Sequence, residues 1–161
     1  MIIISDTTAF SELAKVGQMN LLRDVFGQVI IPQEVYNEIN TGFHPATELV
    51  QEANWLEIIR VKNPQQVNQF QLEYDLDLGE CAAIVLAQEL NADLLLIDER
   101  SARQLALLMN IKIIGMVGVL LLAKQRGLIT SVKQILDQLI ENGTRISKQL
   151  YQYALITAEE C

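Results

Sequence analysis

Four consecutive aliphatic residues, Leu94-Leu95-Leu96-Ile97, end abruptly in two carboxylates, Asp98 and Glu99. An unbroken apolar run of this length, flanked by helical patterns, reads as a strand buried on both faces of a parallel sheet. Asp98 then falls at its carboxyl end. In open α/β sheets that edge carries the ligands, because the loops leaving the strands diverge there and open a crevice. The start of the chain repeats the arrangement, with Ile2-Ile3-Ile4-Ser5 running into Asp6. Two buried strands that end in aspartate frame the reading of everything else.

Between and beyond these strands the chain alternates. Asp6-Thr7-Thr8 forms a turn whose hydroxyl caps a helix through Phe10, Leu13, Ala14 and Val16, stopped by Gly17. Asn20 caps a short helix closed by Gly27, Val29 to Ile31 is a second buried strand, and Pro32 opens a helix from Gln33 to Asn40 that carries Glu38. Thr41 to Pro45 is a loop, and Pro45 begins a helix to Ala53. Trp55 to Val61 reads as an edge strand, Pro64 to Tyr74 as a helix, Asp75 to Gly79 as a turn, and Glu80 to Leu90 as a central helix that is apolar nearly all round. A helix from Ser101 to Met109, a strand from Ile111 to Ile114, and helices over Val117 to Arg126, Ser131 to Asn142 and Ser147 to Ala158 complete the chain. Strands alternating with helices at this spacing give a three-layer α/β/α domain with a mainly parallel central sheet.

The chain has 161 residues, half of them hydrophobic and few aromatic. That suits one compact domain, residues 1–161, with helices packed on a sheet. Two cysteines, Cys81 in a helical pattern and Cys161, give no disulfide framework, so a cytoplasmic setting is expected, and Cys81 reads as a small buried hydrophobe. No apolar run approaches the roughly 18 residues of a spanning helix, so no membrane role is expected. With 20 acidic and 12 basic residues the net charge is −8, which argues against a broad basic face gripping nucleic acid. A cation held by clustered acids would absorb part of that excess.

The chemistry narrows by elimination. The single histidine, His44, lies in a loop before proline and reads as surface; there is no nucleophile elbow, no phosphate-cradling loop, and Gly115-Met116-Val117-Gly118 is too short for a dinucleotide fingerprint. Carboxylates remain. Asp6, Glu38, Glu80 and Asp98 all fall at strand ends or in the first turns of adjacent helices, facing one crevice. Four such groups repel one another without a cation, and their hard oxygens suit Mg²⁺ or Mn²⁺. The corresponding chemistry is metal-assisted phosphodiester hydrolysis, which requires no histidine base. Each acid also has a plain reading: Asp6 and Glu80 as first-turn acids favoured by the helix dipole, Glu38 as a solvated helix residue, Asp98 as a strand-end acid. Glu99 and Asp77 read as caps. Thr8 either orients water at a metal or caps its helix, and Arg100 and Arg103 either contact substrate phosphates or form a salt-bridged surface.

The order of these signals resembles the PIN-domain family. The resemblance rests on Asp6-Thr7-Thr8 after the first strand, on Ile31-Pro32-Gln33-Glu34-Val35-Tyr36-Asn37-Glu38, on Leu78-Gly79-Glu80-Cys81-Ala82-Ala83-Ile84, and on Leu94-Leu95-Leu96-Ile97-Asp98-Glu99. A prokaryotic subgroup continues with patterns similar to Ile114 to Lys124 and Gly127-Leu128-Ile129. The resemblance implies a PIN-like fold and an endoribonuclease using Mg²⁺ or Mn²⁺, with Asp6, Glu38, Glu80 and Asp98 as the acids and Thr8 as the hydroxyl near the metal. It also implies, for many members, the toxin half of a toxin-antitoxin pair, a homodimer silenced by a small antitoxin. Glu80 departs from the common aspartate at the third position. The competing expectation is a catalytically weak or inactive PIN-like module that binds RNA or a protein partner; an aspartyl-phosphate receiver is disfavoured because two threonines, not an acid, follow Asp6.

Overall fold

The structure is a computed structural model describing residues 1–42 and 44–161; Phe43, within the loop expected over Thr41 to Pro45, lies outside the described residues. The five-stranded sheet has the order β3-β2-β1-β4-β5, with β1 at Ile3–Ser5, β2 at Val29–Pro32, β3 at Leu56–Ile59, β4 at Leu94–Leu96 and β5 at Ile113–Ile114. All four strand pairings are parallel. The chain winds from β1 outward through β2 to β3, then returns to the other side of β1 for β4 and β5. The direction of winding therefore reverses between β1 and β4, and in such sheets the crevice opens at that point. β1 and β4 are in register there, Ser5 opposite Leu96, so the residues that follow each strand leave the sheet side by side.

Both faces of the sheet are covered, and the pleat sorts side chains between them. Ile3, Val29, Ile31 and Leu96 belong to one core, packed with α1 (Thr7–Lys15), α2 (Asn20–Phe26), α3 (Gln33–Ile39), α8 (Met116–Gln125) and α9 (Val132–Glu141). Ile4, Ile30, Leu95 and Ile97 belong to the other, packed with α5 (Pro64–Tyr74), α6 (Leu78–Glu89) and α7 (Arg100–Leu108). The fold is a PIN-like α/β architecture. α6 is buried from Gly79 through Ala87, as its all-round apolar sequence requires. α4 (Thr47–Glu52) follows α3, and α10 (Lys148–Thr157) closes against α8 and α9.

Several boundaries differ from the sequence reading, each for a local reason. β4 ends at Leu96; Ile97 is fully buried and its N–H donates to Ile114 O at 3.0 Å, yet it lies past the ladder. β5 keeps only two residues, because the Ile111 N–H turns back to Ala106 O. α6 starts at Leu78, two residues early, since Asp77 and Glu80 close a reciprocal capping box. α1 is not capped by a threonine hydroxyl: Asp6 holds the N-cap position and Thr7 is already helical. Met19 rather than Asn20 stands at the N-cap of α2. α4 begins at Thr47, not Pro45, the Thr47 hydroxyl donating to Ile39 O at 2.6 Å and to His44 O at 3.0 Å.

Glu160 ties the last elements together. Its carboxylate accepts from the Val132 N–H at 2.7 Å, the Lys133 N–H at 3.0 Å, the Ser131 hydroxyl at 3.0 Å and the Lys124 ammonium at 2.9 Å. Desolvation raises its pKa, but these donors outweigh that and hold it down at about 2. A carboxyl lowered in the folded state stabilises above its unfolded value and loses that contribution as pH falls toward 2. Glu160→Gln is expected to cost about 1–2 kcal/mol at pH 7, with the difference shrinking between roughly pH 4.5 and pH 2; urea denaturation of both proteins across that range measures it.

Candidate active site

The site is built outward from Asp6. Its backbone continues β1, its N–H donating to Leu96 O at 3.3 Å, and its side chain turns in over the first residues of α1. Asp6 is 2 % exposed, and neither carboxylate oxygen has a hydrogen-bond partner among the described residues. An uncompensated buried carboxylate is costly. Burial first, and then the negative charges of Asp98 and Glu80, push its pKa well above the ordinary carboxylate range; the Ala9 N–H exerts a lesser opposing pull without hydrogen-bond geometry.

The other acids are held from outside. Glu80, 8 % exposed, receives the Asp77 N–H at 3.3 Å on Oε2, while its own N–H donates to Asp77 Oδ1 at 2.8 Å. Burial, and then the charge of Asp77, raise the Glu80 carboxyl to about 7. Glu38 is exposed on α3 and accepts the Thr7 hydroxyl on Oε2 at 2.8 Å. Gly79 makes this approach feasible, since a Cβ there would sit 2.8 Å from that same oxygen. Asp98 keeps contact with solvent, yet the protein crowding it raises its pKa; the Met116 N–H, shared between Oδ1 at 3.2 Å and Oδ2 at 3.1 Å, and the Arg103 guanidinium pull the other way.

Asp6, Glu38 and Glu80 line one pocket of about 180 Å³ with Thr7, Thr8 and Asp77. Asp98 opens instead onto the neighbouring cavity, which shares Thr8 and Glu12 with the first. Of the arginines named in the sequence, Arg103 sits beside Asp98 and donates Nη1 to Ile97 O at 2.9 Å. Arg100, the first residue of α7, is exposed and lines none of these cavities. Glu99 caps α7, its carboxylate accepting the Ala102 N–H at 2.7 Å.

Sequence reading missed three participants. Thr7, not singled out in the sequence, holds Glu38 through its hydroxyl, while Thr8, the hydroxyl expected near the metal, lines the same pocket. His44, read as surface, is half-buried in the pocket wall, its Nδ1 accepting the Ala46 N–H at 3.1 Å and its pKa lowered by burial. Gly115 leaves the space Asp98 occupies, since a Cβ there would lie 2.6 Å from Asp98 Oδ1 and 2.9 Å from Arg103 Nη1.

A model of the DUF3368 PIN-domain family matches residues 2–160. The chain belongs to the PIN-domain family. Comparison with curated proteins and with solved structures gives no match. PIN domains are generally nucleases that use divalent metals, which makes this PIN domain a nuclease-like module. No helix among the described residues is long and apolar enough to cross a membrane. Among the described residues no three acid, histidine or cysteine side chains converge into a closed ligand cage. The donor set nevertheless fits a hard divalent cation: it is oxygen-only, and the Asp6 carboxylate is buried with both oxygens unsatisfied among the described residues. Mg²⁺ in particular is held by one or two carboxylates while keeping waters and substrate phosphates in its shell, so a closed cage is not required.

The raised carboxyls give the metal-free PIN domain a pH signature. A carboxyl that binds its proton more tightly folded than unfolded adds stability as pH falls through the folded value, about 7 for Glu80, toward the unfolded value near 4.3. In chelator the thermal midpoint is expected to be at least about 3 °C higher at pH 6 than at pH 8. Glu80→Gln should reduce that difference, as scanning calorimetry at the two pH values would show.

Proposed function

We propose that this PIN domain is an endoribonuclease that hydrolyses RNA phosphodiesters with the help of Mg²⁺ or Mn²⁺ at Asp6, Glu38, Glu80 and Asp98. The observation that carries the reading is Asp6, a carboxylate buried with neither oxygen hydrogen-bonded among the described residues and pressed by two further acids. A protein keeps such a group against its own stability where a cation completes it. When bound, a divalent ion offsets the acids' charge, screens the scissile phosphate and makes water a better nucleophile near neutral pH.

The chain's own residues supply position. Asp6 is the innermost acid, fixed by the end of β1. Asp98 is aimed by the Met116 N–H and the neighbouring Arg103, Glu80 by Asp77, and Glu38 by Thr7. The raised pKa of Glu80 leaves it partly protonated near pH 7, so cation and proton compete for it and activity should climb from pH 6 to pH 8. The same reading makes RNA the substrate. Where the chain serves as the toxin of a pair, a small antitoxin protein covering the acid pocket would silence it, and a homodimer is the assembly that goes with that role.

The test is cleavage of labelled single-stranded RNA by purified protein. Cleavage is expected with Mg²⁺ or Mn²⁺ and not with chelator, and Asp6→Asn or Asp98→Asn should lower it at least about 100-fold while each variant still melts cooperatively. Gly115→Ala leaves every acid in place but crowds Asp98, and a loss of about tenfold or more is expected from displaced geometry alone. Cleavage that survives both aspartate substitutions would overturn the reading. Metal binding lost in both variants without RNA cleavage in the wild type would leave the binding-module alternative.

A further inference from the structure

Beside the acid pocket lies a second cavity of about 280 Å³. Thr8 and Glu12 line both, so the two adjoin, and Asp98 stands in the wall of the second. Farther from the acids the wall turns apolar, with Val117 from α8, Leu136 and Leu139 from α9, and Ile146 and Leu150 at the entry to α10. Arg145 also lines it. Its side chain is exposed, and among the described residues no ion pair engages it.

Resting on the ribonuclease reading above, we propose that this cavity receives one nucleobase of the RNA strand beside the scissile phosphodiester, with Arg145 on an adjoining phosphate. Size is the first argument. The cavity lies just under the roughly 300 Å³ at which ligand pockets begin, room for a single base but not for a folded strand. Chemistry is the second. A splayed-out base is held by apolar side chains against its faces and polar groups at its edge, and this cavity has aliphatic walls with Thr8, Glu12 and Asp98 on one side.

Direction is the third argument. On the far side of Glu38 a different surface pocket is lined by Glu34, Glu38 and Asp77, and an incoming phosphate is repelled there. Arg145 gives the opposite flank the positive charge, so the strand is expected to leave the acids on that side. The rim is also anchored: the Thr144 hydroxyl donates to Glu12 of α1, which in turn pairs with Lys15 at 3.6 Å. Arg145 is thus the next residue after a fixed point. A cavity wall tied in this way needs little ordering when ligand arrives.

The experiment titrates the full-length protein with adenosine 5′-monophosphate, uridine 5′-monophosphate and ribose 5-phosphate by calorimetry in Mg²⁺. At least one nucleotide is expected to bind about tenfold or more tightly than the sugar phosphate. Leu150→Trp, at a position 40 % exposed, fills the cavity and should weaken that nucleotide about tenfold while sparing ribose 5-phosphate. Arg145→Gln should weaken both ligands about fivefold, and decides the matter if Leu150→Trp fails to melt cooperatively. Equal affinity for nucleotides and ribose 5-phosphate, or a nucleotide affinity that neither substitution changes, overturns the proposal. Cleavage of RNA without base-dependent binding would remove the base pocket and keep the ribonuclease. Base-dependent binding without cleavage would remove the ribonuclease and keep a nucleotide site.

Discussion

Everything about the site depends on one carboxylate placed where a carboxylate is least comfortable. Asp6 leaves the central strand at the reversal between β1 and β4, under the first turn of α1, and is 2 % exposed with no hydrogen bond to either oxygen among the described residues. Protein interiors rarely tolerate this, because desolvation of an unpaired charge costs more than most packing returns. Here the neighbours make it worse, since Asp98 and Glu80 add repulsion. The sheet nonetheless holds Asp6 there. Ile3 and Ile4 are buried in the cores on opposite faces, and β1 is paired on both sides, with β2 and β4, which fixes where the strand ends.

The remaining acids show how the rest of the fold is arranged around that point. Each is oriented by a neighbouring donor: Asp98 by the Met116 N–H, Glu80 by the Asp77 N–H, Glu38 by the Thr7 hydroxyl. Two glycines make room where side chains would collide, Gly79 against Glu38 and Gly115 against Asp98. Such outer contacts decide where the oxygens point, and a misplacement of about an ångström is enough to lose much of an enzyme's rate. The role of Gly115 is therefore steric, not conformational.

The fold was largely legible because its strands are buried on both faces, and hydropathy reports burial. It does not report pairing. Ile97 and Ile111 are apolar and buried like the strand residues near them, so the reading extended β4 and β5 past the last rung of the ladder. Strand order, and with it the reversal that juxtaposes Asp6 and Asp98, depends on long-range pairing that no local pattern carries. Asp6, Glu80 and Asp98 could be named because strand ends and first turns announce themselves, whereas Glu38, expected near the start of its helix, stands in the last turn of α3. The contact of Thr7 with Glu38 was not legible, because it turns on where α1 begins by a single residue. His44 was passed over for a similar reason: a histidine before proline looks like solvent-facing loop until tertiary contacts fold it against Glu38 and α1.

Phosphate recognition in α/β proteins commonly uses open helix N-termini, and here several of those termini are occupied. α6 is closed by the Asp77 and Glu80 capping box, α7 by Glu99, α9 by Ser131 together with Glu160, and α8 gives its first N–H to Asp98. α1 carries Asp6 at its own N-cap. A phosphodiester arriving at this edge meets carboxylates where it would otherwise meet backbone donors. In a chain of net charge −8, attraction must then come from a cation gathered by the acids, and from the few arginines near them. The same acids that repel substrate in the metal-free protein are the ones a divalent ion would turn into its binding site, which couples substrate affinity to metal concentration without any moving part.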